Sequence, residues 1–240
     1  MIYHVLPGDA QVDVFRLSGI EGEVLVCREA LVEGDVRGDS LDELFINRAA
    51  FHNESSGEDP ASYNANVASQ FRRLLEVTEG DEVDLWFEYD LFCAVNMWFC
   101  IDLLSDTAAE LYRVEPIYLS EHDRWDGFGG ATTELLRQCL SSRIRLAADD
   151  LVLGSTLWQA FSHDDEDRLR SLSNEISPAF PYLSDIVRAA IDRRSRPREI
   201  LDEITAAGAT DLGGIFPEFK KRAGIYGFGD SQVKRLLGTM

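Results

Sequence analysis

The chain has 240 residues, of which 45% are hydrophobic, enough to bury the core of one large domain or of two small ones. No apolar run is long enough to span a bilayer, and the first residues lack the basic and apolar segments of a signal peptide. Residues 1–164 carry 31 acidic side chains against 11 arginines and account for the whole net charge of −20. We therefore expect neither membrane nor nucleic acid as a partner of this acidic part.

Two strands and a short helix are predicted at the beginning of the chain. Apolar residues at 2–6 and 23–27 are typical of strands, and Pro7-Gly8-Asp9-Ala10 predicts a turn that leads into a helix over 11–17. A strand, a helix and a strand in this order predict a right-handed crossover between two parallel strands.

The most informative stretch is a strand that runs directly into a helix. Residues 83–87 are apolar except for Asp84 and predict a strand, and the period changes to that of a helix from Leu91 onward. Glu88 and Asp90 stand at the changeover, where a parallel sheet places its ligands. We therefore predict a functional site at the end of this strand.

The remaining elements of the first half complete an α/β pattern. Helices are predicted over 40–51 and 61–77, and a fourth strand over 110–114. Strands that alternate with helices indicate a mostly parallel sheet covered on both faces. We predict a Rossmann-like α/β domain over residues 1–124, with a sheet of four or five strands.

Residues 125–240 predict an all-helical C-terminal domain. A helix-turn-helix-like unit over 182–237, with a short strand at 225–228 as its wing, is one interpretation of the last helices. The alternative interpretation is a helical cap over the sheet edge. Because acidic residues lie beside the basic clusters of these helices, DNA binding is the less favoured of the two interpretations. Two Gly-Phe-Gly triplets, at 127–129 and 227–229, are interpreted as similar turns.

Carboxylates at the predicted strand ends are the candidates for catalysis. Asp9 follows the first strand, and Glu88 and Asp90 follow the third. Carboxylates that lie close together can act as an acid–base pair, because their mutual repulsion separates their pKa values. Two alternatives stay open: an ion-pair network at the sheet edge, and a helix cap in the case of Asp9.

Neighbouring residues are the candidates for ligand binding. An arginine can bind a phosphate or carboxylate through two parallel hydrogen bonds, and a glycine lets a phosphate approach the backbone. An amide side chain can orient a ligand, and an indole ring can line a pocket. The candidates are Gly8, Arg28, Glu29, Arg48, Trp86 and Asn96.

Metal and cysteine chemistry are only weakly indicated. No paired Cys or His ligands predict a metal site, although Mg²⁺ on the carboxylates is an open alternative. The four cysteines are scattered within apolar segments, which favours buried thiols in a reducing cytoplasm.

Several segments together resemble the bacterial proteins called domain of unknown function 1835. The similar segments are His4 with Gly8-Asp9, Arg28-Glu29, Gly34-Asp35, Leu85-Trp86-Phe87-Glu88-Tyr89-Asp90-Leu91-Phe92 with Asn96, Gly127-Phe128-Gly129, Phe180-Pro181-Tyr182-Leu183, and Tyr226-Gly227-Phe228-Gly229-Asp230-Ser231-Gln232. Many relatives have aspartate in place of Cys93, and Asp-Asp or similar near Arg28-Glu29. The resemblance implies a bacterial, cytoplasmic protein with a Rossmann-like first part and a helical second part. It implies no reaction.

Two functional hypotheses follow. The first is a protein that binds or processes a phosphate-bearing small molecule or nucleotide at the C-terminal edge of the sheet, under the helical domain. In it Arg28 and Arg48 would hold the anion. The second is a non-catalytic regulatory or adaptor protein that senses a ligand at the sheet edge and contacts a protein partner or a second copy of itself. A DNA-binding regulator ranks behind both.

Overall fold

The computed structural model describes residues 1–117 and 124–238. Its centre is a five-stranded sheet with the order β2-β1-β3-β4-β5. The four strands β1 to β4 are parallel, and β5 pairs with β4 in the antiparallel direction. The strands are β1 (Ile2–Leu6), β2 (Glu23–Val26), β3 (Glu82–Trp86), β4 (Glu110–Val114) and β5 (Ile144–Arg145).

The α/β prediction is confirmed, and β1 to β4 lie where they were predicted. The central strand β3 is buried on both faces, which explains its nearly continuous apolar sequence. The short strand β5 was not predicted, since two residues carry no readable period. Because β5 belongs to the sheet, the residues after 124 are not wholly helical. One apolar core extends from Tyr3 to Val233 across the predicted domain boundary, which itself stays a prediction.

Helices cover both faces of the sheet. On one face, Phe15 of α1 and Leu136 of α6 pack with Leu6 and Trp86. The other helices of the core pack on the opposite face, where α7 lies along α5. The described helices are α1 (Val12–Leu17), α2 (Leu41–Ser56), α3 (Pro60–Tyr63), α4 (Ser69–Leu74), α5 (Leu91–Leu104), α6 (Thr133–Ser141), α7 (Ala148–Ser162), α8 (Glu166–Leu172), α9 (Leu183–Asp192), α10 (Arg196–Ala206), α11 (Leu212–Ala223) and α12 (Asp230–Gly238).

The central helix α5 is enclosed on all sides. Apart from Asn96 and Asp102 its residues are apolar, as expected for a helix between a sheet and other helices. Asp90 caps it by accepting a hydrogen bond from the Cys93 amide at 2.9 Å. On the far side, α7 approaches closely because Gly154 faces Ile101, and a Cβ at position 154 would lie 2.8 Å from Ile101 Cδ1.

Two predicted elements differ from the structure. The helix expected over 61–77 is divided by a π-helical turn, Asn64–Ala68, and the last residues of that range lie beyond α4. The strand predicted at 225–228 is wrong, because Gly224–Tyr226 forms a 3₁₀ turn and the described residues therefore give the proposed helix-turn-helix no wing. None of the helices in the described part of the chain combines the length and apolar character needed to cross a membrane.

Candidate functional site

The strand order creates a topological switch point between β1 and β3. From β1 the chain first crosses to β2 on one side, and β3 then pairs with the other side of β1. Open α/β sheets bind ligands in the crevice outside the C-terminal ends of such strands. Gly8 and Asp9 follow β1, and Glu88 and Asp90 follow β3, so this edge carries the predicted candidates.

Glu88, which is half-buried, and Asp90, which is buried, form a carboxyl pair in which an oxygen of one group lies within 4.8 Å of an oxygen of the other. Asp90 is only 3% exposed. Burial and the neighbouring Asp90 charge raise the pKa of Glu88 to about 8, and burial raises the pKa of Asp90 to about 6. At neutral pH the pair therefore holds about one proton between its two carboxyl groups. This is the titrating centre of the predicted site.

Both Gly-Phe-Gly triplets pack their first glycine onto this pair. Gly127, at φ +63°, lies so close that a Cβ would be 1.7 Å from Glu88 Cδ. Gly227, at φ +69°, lies so close that a Cβ would be 2.2 Å from Asp90 Oδ1. The amide of Phe128 also donates to Glu88 Oε1 at 2.6 Å. The repeated triplet was the sequence signal for these contacts, although it predicted only turns.

Three further side chains lie beside the carboxyl pair. Lys220 forms an ion pair with Asp126 at 2.7 Å, and its charge partly opposes the rise in the pKa of Glu88. The amide nitrogen of Gln11 is 3.5 Å from Glu88 Oε1. Cys93 brings a thiol whose pKa burial raises well above its ordinary value. A thiol is a poor ligand for a hard cation such as Mg²⁺, so only the two carboxyl groups of this cluster suit that ion.

Asp9 and Arg28 pair with each other at the same edge. Arg28 Nε is 2.8 Å from Asp9 Oδ2, and Arg28 Nη2 is 2.8 Å from Asp9 Oδ1. The remaining guanidinium nitrogen donates to the Asn66 carbonyl at 2.8 Å. Gly8 has an extended backbone, with no atom within 4 Å of where its Cβ would be. An anion at Arg28 would therefore have to displace the Asp9 carboxylate.

Arg48 and Glu29 form a buried ion pair away from solvent. Arg48 is fully buried, with its Nη2 2.7 Å from Glu29 Oε2. Tyr63 donates to Glu29 Oε1 at 2.6 Å, and His52 lies 3.4 Å from Glu29 Oε2. Although burial raises the pKa of Glu29, the hydrogen bond from His52 and the charge of Arg48 lower it to about 2. The predicted ligand-binding roles of Arg48 and Glu29 do not fit this closed network.

Trp86 and Asn96 are also structural in their surroundings. Trp86 is buried beside Phe128, and its indole N–H donates to His4 Nδ1 at 3.2 Å. Asn96 is buried and donates to the Glu29 carbonyl at 2.8 Å, so it fixes the loop after β2. A ligand-binding role fits neither side chain, because each faces protein atoms.

A concave surface that was not predicted lies between the loop after β2 and the C-terminal helices. Two adjoining cavities, of 240 and 360 Å³, have four lining residues in common. Four arginines line the two cavities together, and we call the combined surface the arginine groove. The shared lining residues are Val32, Gly34, Arg193 and Arg194, and the principal charged and apolar residues around them are Glu33, Asp35, Arg37, Asp164, Phe228, Gln232, Arg235 and Leu236.

Two guanidinium groups of the groove share one carboxylate. Arg193 Nη2 and Arg194 Nη2 lie 2.7 and 2.8 Å from the same oxygen of Asp164. Asp164 has φ +55°. Among the described residues, 1–117 and 124–238, it is the one non-glycine residue with a positive φ. Arg193 also lies over the Phe161 ring, 4.4 Å from its centroid. These contacts hold two positive charges against one negative charge.

The other two arginines of the groove each have one acidic partner. Arg235 pairs with Glu33 at 2.6 Å, and Arg37 pairs with Asp35 at 2.9 Å. The four guanidinium groups therefore face three carboxylates, and the groove carries a positive excess within an acidic protein. In the sequence Arg193 and Arg194 belong to a basic cluster with acids nearby, and nothing there singles out Arg37 or Arg235.

Comparison with known proteins supplies no family: no family model matches the chain, and neither a curated protein nor a solved structure does. The resemblance to domain of unknown function 1835 therefore stays a prediction.

Proposed function

We propose that the protein binds a phosphate-bearing small molecule or nucleotide, and that the arginine groove holds the phosphate. The observation that carries this proposal is the pairing of Arg193 and Arg194 with the single carboxylate of Asp164. A phosphate group would replace that carboxylate and offer several oxygens to two guanidinium forks. The arginines first expected to do this are less suitable, since Arg28 has the Asp9 carboxylate to itself and Arg48 is buried, whereas Arg193 and Arg194 share one carboxylate.

The groove can also accommodate the remainder of such a ligand. Phe228 and Leu236 form an apolar wall of the groove next to Arg235, and Gln232 adds an amide for hydrogen bonding. A ligand with an anionic end and a ring or sugar matches this mixture of charged and apolar lining. The larger cavity, of 360 Å³, lies within the range of small-molecule sites.

A regulatory ligand-binding protein is the second candidate function. The groove is formed by residues 31–37, by Arg193 and Arg194, and by residues of α12, which are far apart along the chain. A ligand that bridges these segments would stabilise the helical region against the sheet and could alter a surface that a protein partner or second copy contacts.

The four buried free cysteines fit the predicted cytoplasmic location, because thiols stay unpaired in a reducing compartment.

Charge removal in the groove is expected to weaken phosphate binding. Arg194→Ala and Arg235→Ala should each lower the affinity for pyrophosphate or ATP by about tenfold, because each removes one charge-assisted hydrogen-bonding group. The measurement is isothermal titration calorimetry at low ionic strength, with and without Mg²⁺. Both side chains are more than 40% exposed, with values of 71% and 44%, so we expect both variants to fold.

Arg145→Ala is the matched control, because Arg145 is 65% exposed and pairs with Glu110 on β4 outside the groove. It should bind like the wild type. An equal loss of affinity in Arg145→Ala, or no binding of either probe by the wild-type protein, would contradict the proposed function.

A further inference from the structure

We infer that the Glu88–Asp90 pair is a proton-dependent latch, which holds residues 125–130 and 224–229 against the C-terminal edge of the sheet. We further infer that the latch controls the arginine groove through Phe228. The contacts of the latch are geometric, its response to pH depends on the ionisation of the carboxyl pair, and its effect on ligand affinity rests on the proposed function.

The first support is the contact between the pair and two distant segments. One segment presents Gly127 and the Phe128 amide to Glu88, and the other presents Gly227 to Asp90. A positive φ and the absence of a Cβ are both required for such a close approach. The two carboxyl groups are also neighbours, with oxygens within 4.8 Å of each other, so the two segments meet at one point.

The second support is the continuity of one latched segment with the groove. Phe228, which directly follows Gly227, lines the groove, and it stacks on Phe219 of α11 with ring centroids 6.2 Å apart. Helix α12 begins at Asp230 and supplies Gln232 and Arg235 to the same surface. A displacement of Gly227 from Asp90 would therefore move one wall of the groove.

The charged surroundings determine how the latch responds to pH. From α11, Lys220 acts on Glu88, but it is already paired with Asp126 of the 125–130 segment. From α5, Cys93 faces the pair as a neutral thiol. The β1–α1 turn contributes Gln11, which is uncharged. Within the described part of the chain, Lys220 is thus the cation that acts on Glu88, and a second negative charge on the pair would be poorly compensated.

Loss of the shared proton should therefore loosen the latch. The folded protein holds both carboxyl groups in their neutral form to a higher pH than the unfolded chain does. Their contribution to stability is complete in acid, below their ordinary pKa values, and it falls as the pH rises through about 6 and 8. Above that range two neighbouring negative charges repel each other.

Glu88→Gln tests the latch, because an amide side chain retains an acceptor for the Phe128 amide but cannot ionise. Between pH 6 and pH 9, the melting temperature of the wild type should fall by about 5 °C more than that of Glu88→Gln. Glu110→Gln, at a 43% exposed glutamate paired with Arg145, is the matched control and should follow the wild type. If the melting temperatures of the wild type and of Glu88→Gln fell equally between pH 6 and pH 9, the latch would be overturned.

Pyrophosphate titrations at the same pH values test the effect on the groove. The ratio of the affinities of wild type and Glu88→Gln should fall about threefold or more between pH 6 and pH 9, and use of the ratio cancels the ionisation of pyrophosphate itself. A constant ratio with measurable binding would overturn the coupling to the groove. Failure of both proteins to bind would overturn the proposed function, while the melting curves would still decide whether the latch exists.

Discussion

Replacement of Arg48 with methionine is expected to lower the free energy of unfolding by about 3–5 kcal/mol, the usual cost of removing one partner of a buried ion pair. Glu29 would remain buried, with hydrogen bonds from Tyr63 and His52 but without the guanidinium that compensates its charge. Arg48 also donates to the backbone carbonyls of Ala30 and Glu33, so the loop after β2 would lose its anchor. Urea denaturation of both proteins measures the difference.

Two controls separate the buried pair from a general effect of arginine removal. Arg37→Met removes an arginine that is 69% exposed and paired with Asp35, and it should change stability far less than Arg48→Met does, because solvent screens an exposed ion pair. The double variant Arg48→Met with Glu29→Gln should be more stable than Arg48→Met alone, since it no longer buries an unpaired charge. A loss in Arg48→Met no larger than that in Arg37→Met would show that the pair contributes little.

The same pair determines how stability responds to acid. The pKa of Glu29 is lowered to about 2 in the folded protein, so its contribution is present above the ordinary glutamate pKa and is lost as the pH falls toward 2. The wild type should therefore lose stability in this range, in the direction opposite to the Glu88–Asp90 pair. Glu29 and the carboxyl pair can thus be distinguished by pH alone.

Gly127→Ala is the second large expected effect, with a loss of about 2–5 kcal/mol of unfolding free energy. A residue with a Cβ pays roughly 1–2 kcal/mol for the left-handed backbone at this position. Its methyl group would also occupy the place of the Glu88 carboxylate, which would have to turn away and lose its hydrogen bond from the Phe128 amide, at roughly 1–3 kcal/mol.

Gly130→Ala is the matched control for Gly127→Ala, because Gly130 has φ +76° in the same segment and no atom of the described residues lies within 4 Å of the place its Cβ would take. It should show the backbone cost alone. If the two alanine variants were equally stable by chemical denaturation, the contact between Gly127 and Glu88 would carry no energy. Loss of the pH dependence in Gly127→Ala but not in Gly130→Ala would link that energy to the shared proton.

The sheet was readable from the sequence, because parallel strands buried on both faces have continuous apolar runs. This explains why β1 to β4 were placed within about a residue, whereas β5 was missed. Glu88 and Asp90 were also readable as a pair, since two residues at the end of one strand must remain close. The burial of Arg48 was not readable, because a helix that begins with polar residues does not indicate which of its arginines faces inward.

The contacts between distant segments needed coordinates. Gly127 and Gly227 reach the carboxyl pair from separate parts of the chain, and only the repeated triplet hinted that they share an environment. Arg193 and Arg194 were assigned to a basic cluster that suggested DNA, whereas the fold directs both toward Asp164 in a groove. Charge composition alone does not show which carboxylate a guanidinium meets, since exposed ion pairs contribute too little energy to leave a sequence pattern.

Titration of pyrophosphate into Asp164→Asn tests the central claim most directly. Asparagine tolerates the positive φ of this position, so the backbone should be retained while the charge that competes with phosphate is removed. We predict that Asp164→Asn binds pyrophosphate about tenfold more tightly than the wild type, and that Asp185→Asn does not, although Asp185 is equally exposed, at 45% against 46%. Unchanged or weaker binding by Asp164→Asn would contradict the assignment of the arginine groove as the phosphate site.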